Sequence, residues 1–375
     1  MQDNGDQATL AVQVMPAEAS ADRSLAARVL PKFVISLALG GLFAWVAARG
    51  GVPLLPPRAA FAHVQPWAVP VYVASLIVLH YFRASRWRFL IAPIKRVPLG
   101  EVLLLNWIGF FAIFILPLRL GELARPALTK LRHGVPISAG FGTVAVERVL
   151  DGLLTSLCVA FTLLALPRLD TQDPVARHLP VYGYAALGLF ACAFIALGMF
   201  LWQRAFAIRV TRWTAGLVSQ RLGQLLAEKV GNVADGIRSI GSPRLAAGFL
   251  FESVAYWGVN ACGVWLLGLG VGLPWSLGHA FAVMGVLAIG ILLPTGPGLF
   301  GNFQLAVFAC LKLFFPESLV ASEGAVFVFL LYVLQSSVMI VAGVVPLYAL
   351  RLRMSDLLRV SVAPEPDPRS ALRRD

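Results

Sequence analysis

Long apolar runs alternate with short basic stretches along most of this chain, and that alternation leaves few folds open. The runs fall at about 29–48, 67–82, 102–118, 137–166, 180–202, 245–270, 277–293, 303–315 and 322–350. A helix needs about 20 residues to cross the hydrocarbon core. Runs 29–48, 137–166, 180–202, 245–270 and 322–350 meet that length, and 67–82 reaches it by extending at either end. Runs 102–118, 277–293 and 303–315 are short and interrupted by Pro and Gly. Charged residues make up only 13% of the chain, against about 25% in a soluble domain. These features define an all-α, polytopic membrane protein.

The net charge of +12 raises nucleic acid as a partner. The basic residues lie between apolar runs, as in cytoplasmic loops, so no nucleic-acid partner is expected. Arg83, Arg86, Arg88, Lys95 and Arg96 form one such stretch, and Arg119, Arg125, Lys130 and Arg132 a second. Residues 203–244 form a third, and Arg351, Arg353 and Arg359 a fourth.

Placing all four stretches in the cytoplasm requires 102–134 to enter the membrane and return to the same side. By the same logic 277–315 enters from outside and returns there. The expectation is six spanning helices plus two oppositely oriented re-entrant hairpins. They form an inverted repeat of "span, hairpin, span" over 67–166 and 245–350. Eight plain spanning helices are the alternative. Broken helices meeting near the midplane of an inverted repeat are a transporter architecture. The hairpin turns read ILPLRLGELARPAL (115–128) and LLPTGPGLFGNFQLAV (292–307).

The expected domain plan is a disordered cytoplasmic tail at 1–26, a membrane domain at 27–352 and a second cytoplasmic tail at 353–375. Within the membrane domain, 203–244 reads as an amphipathic segment on the inner leaflet. Both termini are expected in the cytoplasm, in a cell (inner) membrane protein.

Charge also appears where a bilayer disfavours it. Arg119, Glu122, Arg125, Glu147, Arg148 and Asp151 lie in or beside apolar segments. One charge at the bilayer centre costs about 2.5–3.5 kcal/mol on insertion scales, so such residues are usually paired and functional. Glu122 and Arg125, and Arg148 and Asp151, are spaced i,i+3, which pairs them on a helix face. Two readings follow: a salt-bridge cluster that holds the first hairpin in place, or a polar slot for a lipid headgroup. Arg119 and Arg125 would offer planar donors to a phosphate. If 137–166 begins at the inner surface, Glu147 lies about 15 Å along it. Glu252 reads as the partner of an interior Arg, or as a proton or headgroup site. Asn106, Phe110 and Phe111 read as packing, and Trp87 as an interfacial anchor.

In the second turn, Pro294, Gly296, Pro297, Gly298 and Gly301 make an uncharged kink. Its freed N–H groups suit an anion, or its small residues suit close helix packing. Asn302 and Gln304 would bond a headgroup or cap the broken helix.

LPLRLGELARPALTKL followed by SAGFGTVAVERVLDGL resembles the lysylphosphatidylglycerol synthase transmembrane-region family, a flippase-like membrane domain that also occurs in stand-alone bacterial and archaeal proteins. Pro117, Arg119, Gly121, Glu122 and Arg125 fit the first half of its charged pattern, and Val146, Glu147, Arg148 and Asp151 the second. Pro294, Pro297, Gly298, Gly301 and Gln304 resemble its Pro/Gly signature, with Gln304 where many members carry Glu. Arg83, Arg86 and Trp87 look like its R-x-x-R-W segment. The resemblance implies the lipid-translocating half, without the aminoacyl-transferase domain of bifunctional members. It implies a membrane lipid as ligand, either an anionic phospholipid or a polyprenyl-linked lipid. Envelope-lipid synthesis enzymes and a second copy of the chain are candidate partners.

No cofactor is expected. Cys158, Cys192, Cys262 and Cys310 are scattered through apolar runs, and neither they nor the histidines have metal-ligand spacing. No Asp-x-Asp pair, H-E-x-x-H or nucleophile accompanies the charged cluster, so no catalytic residue is assigned. The rival functions are a membrane-embedded lipid-modifying enzyme and a non-transporting scaffold.

Overall fold

The computed structural model describes residues 30–46, 49, 55–116, 121–165, 174–202, 213, 220, 242–290 and 296–350. The expected tails at 1–26 and 353–375, Arg119, Pro294 and nearly all of 203–244 lie outside them. The described residues contain helices and no strand. We number the helices α1 (Leu30–Val46), α2 (Ala68–Ile91), α3 (Leu99–Ile115), α4 (Ala124–His133), α5 (Ile137–Ala165), α6 (Pro174–Trp202), α7 (Pro243–Val271), α8 (Leu277–Gly290), α9 (Asn302–Phe314) and α10 (Glu317–Ala349).

By length and composition, five segments are able to cross a membrane: α2, α5, α7, Pro297–Phe314 and α10. Pro297–Phe314 is not one continuous helix. Gly298 and Gly301 have φ of 71° and 84°, which separates a short turn from α9. A Cβ on Gly301 would also lie 2.7 Å from the Gly40 carbonyl oxygen and the Ala44 nitrogen of α1. Only glycine fits both the dihedral angle and the space.

α3 and α4 form an antiparallel hairpin, and local chemistry sets its ends. Pro98 precedes α3. At the far end Leu116 takes the extended conformation (φ −80°, ψ 140°), as expected for a residue before proline. Gly134, at φ 69°, closes α4 in the left-handed C-terminal manner. His133 Nε2, at the end of α4, lies 2.7 Å from Glu101 Oε2 at the start of α3. At the turn, Gly121 lies against the Ala112–Ile113 backbone.

α8 and α9 form a second antiparallel hairpin. Asn302 donates from Nδ2 to the Gly290 carbonyl at 2.6 Å beside the turn. At the open end the His279 ring lies 5.1 Å from that of Phe314.

α2 runs antiparallel to α7, with Ala68 against Gly270, Ser75 against Gly263 and Phe89 against Gly248. Around this pair the packing is exchange-symmetric. α5 packs along α8 just as α10 packs along α3. The largest apolar core links α2, α7, α8, α9 and α10. α3 also touches the Pro297–Leu299 turn, so the first hairpin reaches the turn of the second.

α2 departs from expectation. Its helix continues past the apolar run to Ile91, which carries Arg83, Arg86, Trp87 and Arg88 into the bundle rather than into a loop.

Candidate functional site

Three helices bring ionised side chains to one place. α5 supplies Glu147, Arg148 and Asp151, and α4 supplies Arg125 from its first turn. α2 supplies Arg83 and Arg86, three residues apart and therefore on neighbouring faces.

Glu147, with no exposed surface, is the hub. Arg125 Nη1 donates to Glu147 Oε2 at 2.9 Å and to Asn106 Oδ1 at 2.6 Å. Arg86 Nη2 donates to Glu147 Oε1 at 3.2 Å. Arg148 Nη2 reaches the same oxygen at 3.3 Å. Arg86 also grips Asp151 with both terminal nitrogens, at 2.7 and 2.6 Å. That planar two-bond geometry is the strongest form of such a pair. Trp257 Nε1 donates to Asp151 Oδ1 at 3.0 Å. Aromatic faces cover what remains: Arg86 lies 4.8 Å from the Tyr256 ring centre, and Arg125 lies 5.0 Å from that of Trp87.

The i,i+3 spacing pairs Arg148 with Asp151 along one helix; in the fold Asp151 instead takes Arg86 from α2, and Arg148 bonds its neighbour Glu147. Sequence reasoning missed Arg83 and Arg86 as site residues. Arg86 is fully buried, and the R-x-x-R-W segment was the only sequence signal for either. Trp87 is not an interfacial anchor. It is fully buried and donates to Thr143 Oγ1 at 2.9 Å. Asn106 does more than pack, because it accepts from Arg125.

Two cavities border the cluster. One, of about 100 Å³, is bounded by Arg83, Glu122 and Arg148 on one side and by Phe303, Tyr332 and Gln335 on the other. The second, of about 380 Å³, shares Arg83, Glu122 and Arg148 and adds Asp151 and Trp257. Arg83 lies 4.0 Å over the Phe110 ring. It makes no ion pair among the described residues. Arg86 and Arg125 are instead committed to carboxylates inside the protein.

The remaining expected site residues divide. Glu252 is buried and bonded to Ser85 and to Arg88, the latter at 2.6 Å, and it lines neither of these cavities. Pro297 and Gly298 form the second turn, where Tyr332 donates to the Gly298 carbonyl at 3.0 Å. Gln304 Oε1 accepts from the Gly301 N–H at 2.8 Å, which is a capping role. Replacing Gln304 with Glu keeps that acceptor, so a melting temperature close to that of the parent protein is expected in detergent. Gln304→Ala removes the cap and should cost about 1 kcal/mol, read as a lower midpoint in the same melt. Among the described residues no cluster of His, Cys, Asp or Glu has the makings of a metal site.

A helical membrane protein with an ionic site buried between its helices is the class that fold and site together define. Within that class, the chain belongs to the family described as the lysylphosphatidylglycerol synthase TM region, whose model matches residues 33–352. A relative is the glycosyltransferase AglD of Haloferax volcanii, 26% identical over 269 residues, or 66% of this chain and 43% of that protein. The chain therefore spans less than half the length of this relative. No solved structure matches the chain significantly.

Proposed function

We propose that this protein moves an anionic lipid between the leaflets of the cytoplasmic membrane, with the headgroup passing between two re-entrant hairpins. The observation that carries the proposal is the cavity walled by both halves of the fold, with Arg83 and Arg148 facing Tyr332 and Gln335. A headgroup that crosses needs polar partners where the surroundings are hydrocarbon, and its phosphate needs cations.

The hairpin reading has three supports. α4 is a 10-residue helix, far short of the roughly 20 residues that span. Both helix pairs, α3–α4 and α8–α9, return toward their starting ends. The exchange-symmetric packing around antiparallel α2 and α7 fits two halves related by a two-fold axis in the membrane plane. In this arrangement Arg83, Glu122, Arg148 and Asp151 face the passage, and Glu147, Arg86 and Arg125 form the buried ionic cluster behind them. The basic residues at 119–132 and after the last apolar run support cytoplasmic termini in this reading.

The name of the relative motivates a second reading, glycosyl transfer to a lipid carrier. The same experiment addresses it. The purified chain in vesicles should move fluorescent phosphatidylglycerol to the opposite leaflet, read by dithionite quenching. Arg83→Gln removes a charge-assisted contact worth about 1.5–3 kcal/mol, so the rate should fall about tenfold or more. The fold should survive, because Arg83 holds no carboxylate of the cluster. Parent protein that is folded yet moves no lipid, or an Arg83→Gln variant as fast as the parent, would overturn the proposal. Turnover of a sugar donor without lipid movement would favour the transferase.

A further inference from the structure

We infer that Gln335 on α10 selects the lipid, favouring phosphodiesters whose headgroup carries uncharged hydroxyls over those with an equally charged but hydroxyl-free headgroup. The inference rests on the lipid-translocation reading above and assigns a residue that the charged motif does not contain.

Gln335 sits in the middle of an apolar helix, where a polar side chain is expensive. Its carboxamide makes no hydrogen bond with the described residues. The side chain is half-buried and lines the 100 Å³ cavity opposite Arg83 and Arg148. The nearby Tyr332 hydroxyl is different, since it spends its proton on the Gly298 carbonyl. Gln335 therefore presents unspent donors and an acceptor to the cavity.

The cavity lies between the two halves of the fold, with Arg83 and Arg148 on one side and Gln335 and Ser336 on the other. One half supplies an ionised pair, Glu147–Arg148, and the other an uncharged pair, Gln335–Ser336. A single passage between them thus has a cationic wall for phosphate and a neutral hydrogen-bonding wall for whatever the phosphate bears. Arg148 is already bonded to Glu147, so Arg83, which has no ion pair among the described residues, is the cation this wall offers a phosphate. A site built to bond a hydroxyl discriminates sharply against an analogue that lacks it, because its own polar group is then left unpaired.

The test compares phosphatidylglycerol with phosphatidylmethanol, each a monoanionic phosphodiester, with phosphatidylethanolamine as a third lipid, using the full chain in vesicles. The parent protein should move phosphatidylglycerol about three- to tenfold faster than phosphatidylmethanol, the span of one ordinary hydrogen bond. Phosphatidylethanolamine should be slowest. Gln335→Leu should bring phosphatidylglycerol down to the phosphatidylmethanol rate and leave the latter unchanged. Arg83→Gln should slow both and preserve their ratio. A ratio near one in the parent protein, or one that Gln335→Leu leaves unaltered, overturns the role of Gln335 while lipid movement stands. No movement of any lipid overturns the translocation reading and this inference with it.

Discussion

Glu147→Leu should destabilise the protein by about 3–5 kcal/mol, the cost of breaking a buried ion pair by removing one partner. Three guanidiniums meet at this carboxylate, from Arg86, Arg125 and Arg148. Arg86 keeps its two-bond grip on Asp151 when Glu147 is lost. Arg125 keeps only the amide oxygen of Asn106, and with 4% exposure it has no water to turn to. An uncompensated buried cation is the main source of the penalty. The double variant Arg125→Met/Glu147→Leu should therefore be more stable than Glu147→Leu alone, because an apolar pair of similar volume replaces the charges. A residual cost of about 1–3 kcal/mol remains for the orphaned Asn106. Melting curves of the parent protein, both single variants and the double variant in detergent close the cycle. If Glu147→Leu melts with the parent protein, the cluster is wet and its hub role is wrong.

The same cluster shows what the sequence makes legible. Its members on α4 and α5 stand out because ionised residues inside apolar runs demand an explanation. The helix ends of the first pair have local causes: Leu116 precedes Pro117, and Gly134 takes the left-handed conformation after α4. Arg86 was obscured by its surroundings. It follows an apolar run and sits among other arginines, the pattern of a cytoplasmic loop, and only its tertiary partners distinguish it. Those partners are Asp151 and Glu147, 65 and 61 positions away, and no helical spacing reports a contact of that range. Trp87 was misplaced for the same reason, since beside basic residues it looks interfacial until α5 supplies Thr143. Gln335 was invisible for another: one amide in an apolar run has no spacing to read, and its significance comes from the cavity it faces.

Gly121→Ala should be as damaging as the loss of Glu147, although it adds a single methyl group. A Cβ at residue 121 would lie 2.1 Å from both the Ala112 carbonyl carbon and the Ile113 nitrogen. Those are backbone atoms of α3, and no rotamer relieves the contact. Overpacking of this kind costs about 1–3 kcal/mol when neighbours give way, and more when they do not. The displacement would not stay local. A few residues further along the same hairpin, a Cβ on Gly109 would already lie 2.9 Å from Arg125 Cβ, so moving α4 off α3 also moves Arg125 relative to Glu147 and Asn106. The expected result is a lower melting temperature together with lost lipid movement. Gly188→Ala in α6 is the control, because a Cβ there meets nothing within 4 Å. By helix propensity alone it should be neutral or stabilise by up to about 1 kcal/mol. If both alanines melt alike, the turn of the first hairpin is looser than its geometry implies, and the packing of that turn does not hold Arg125 in place.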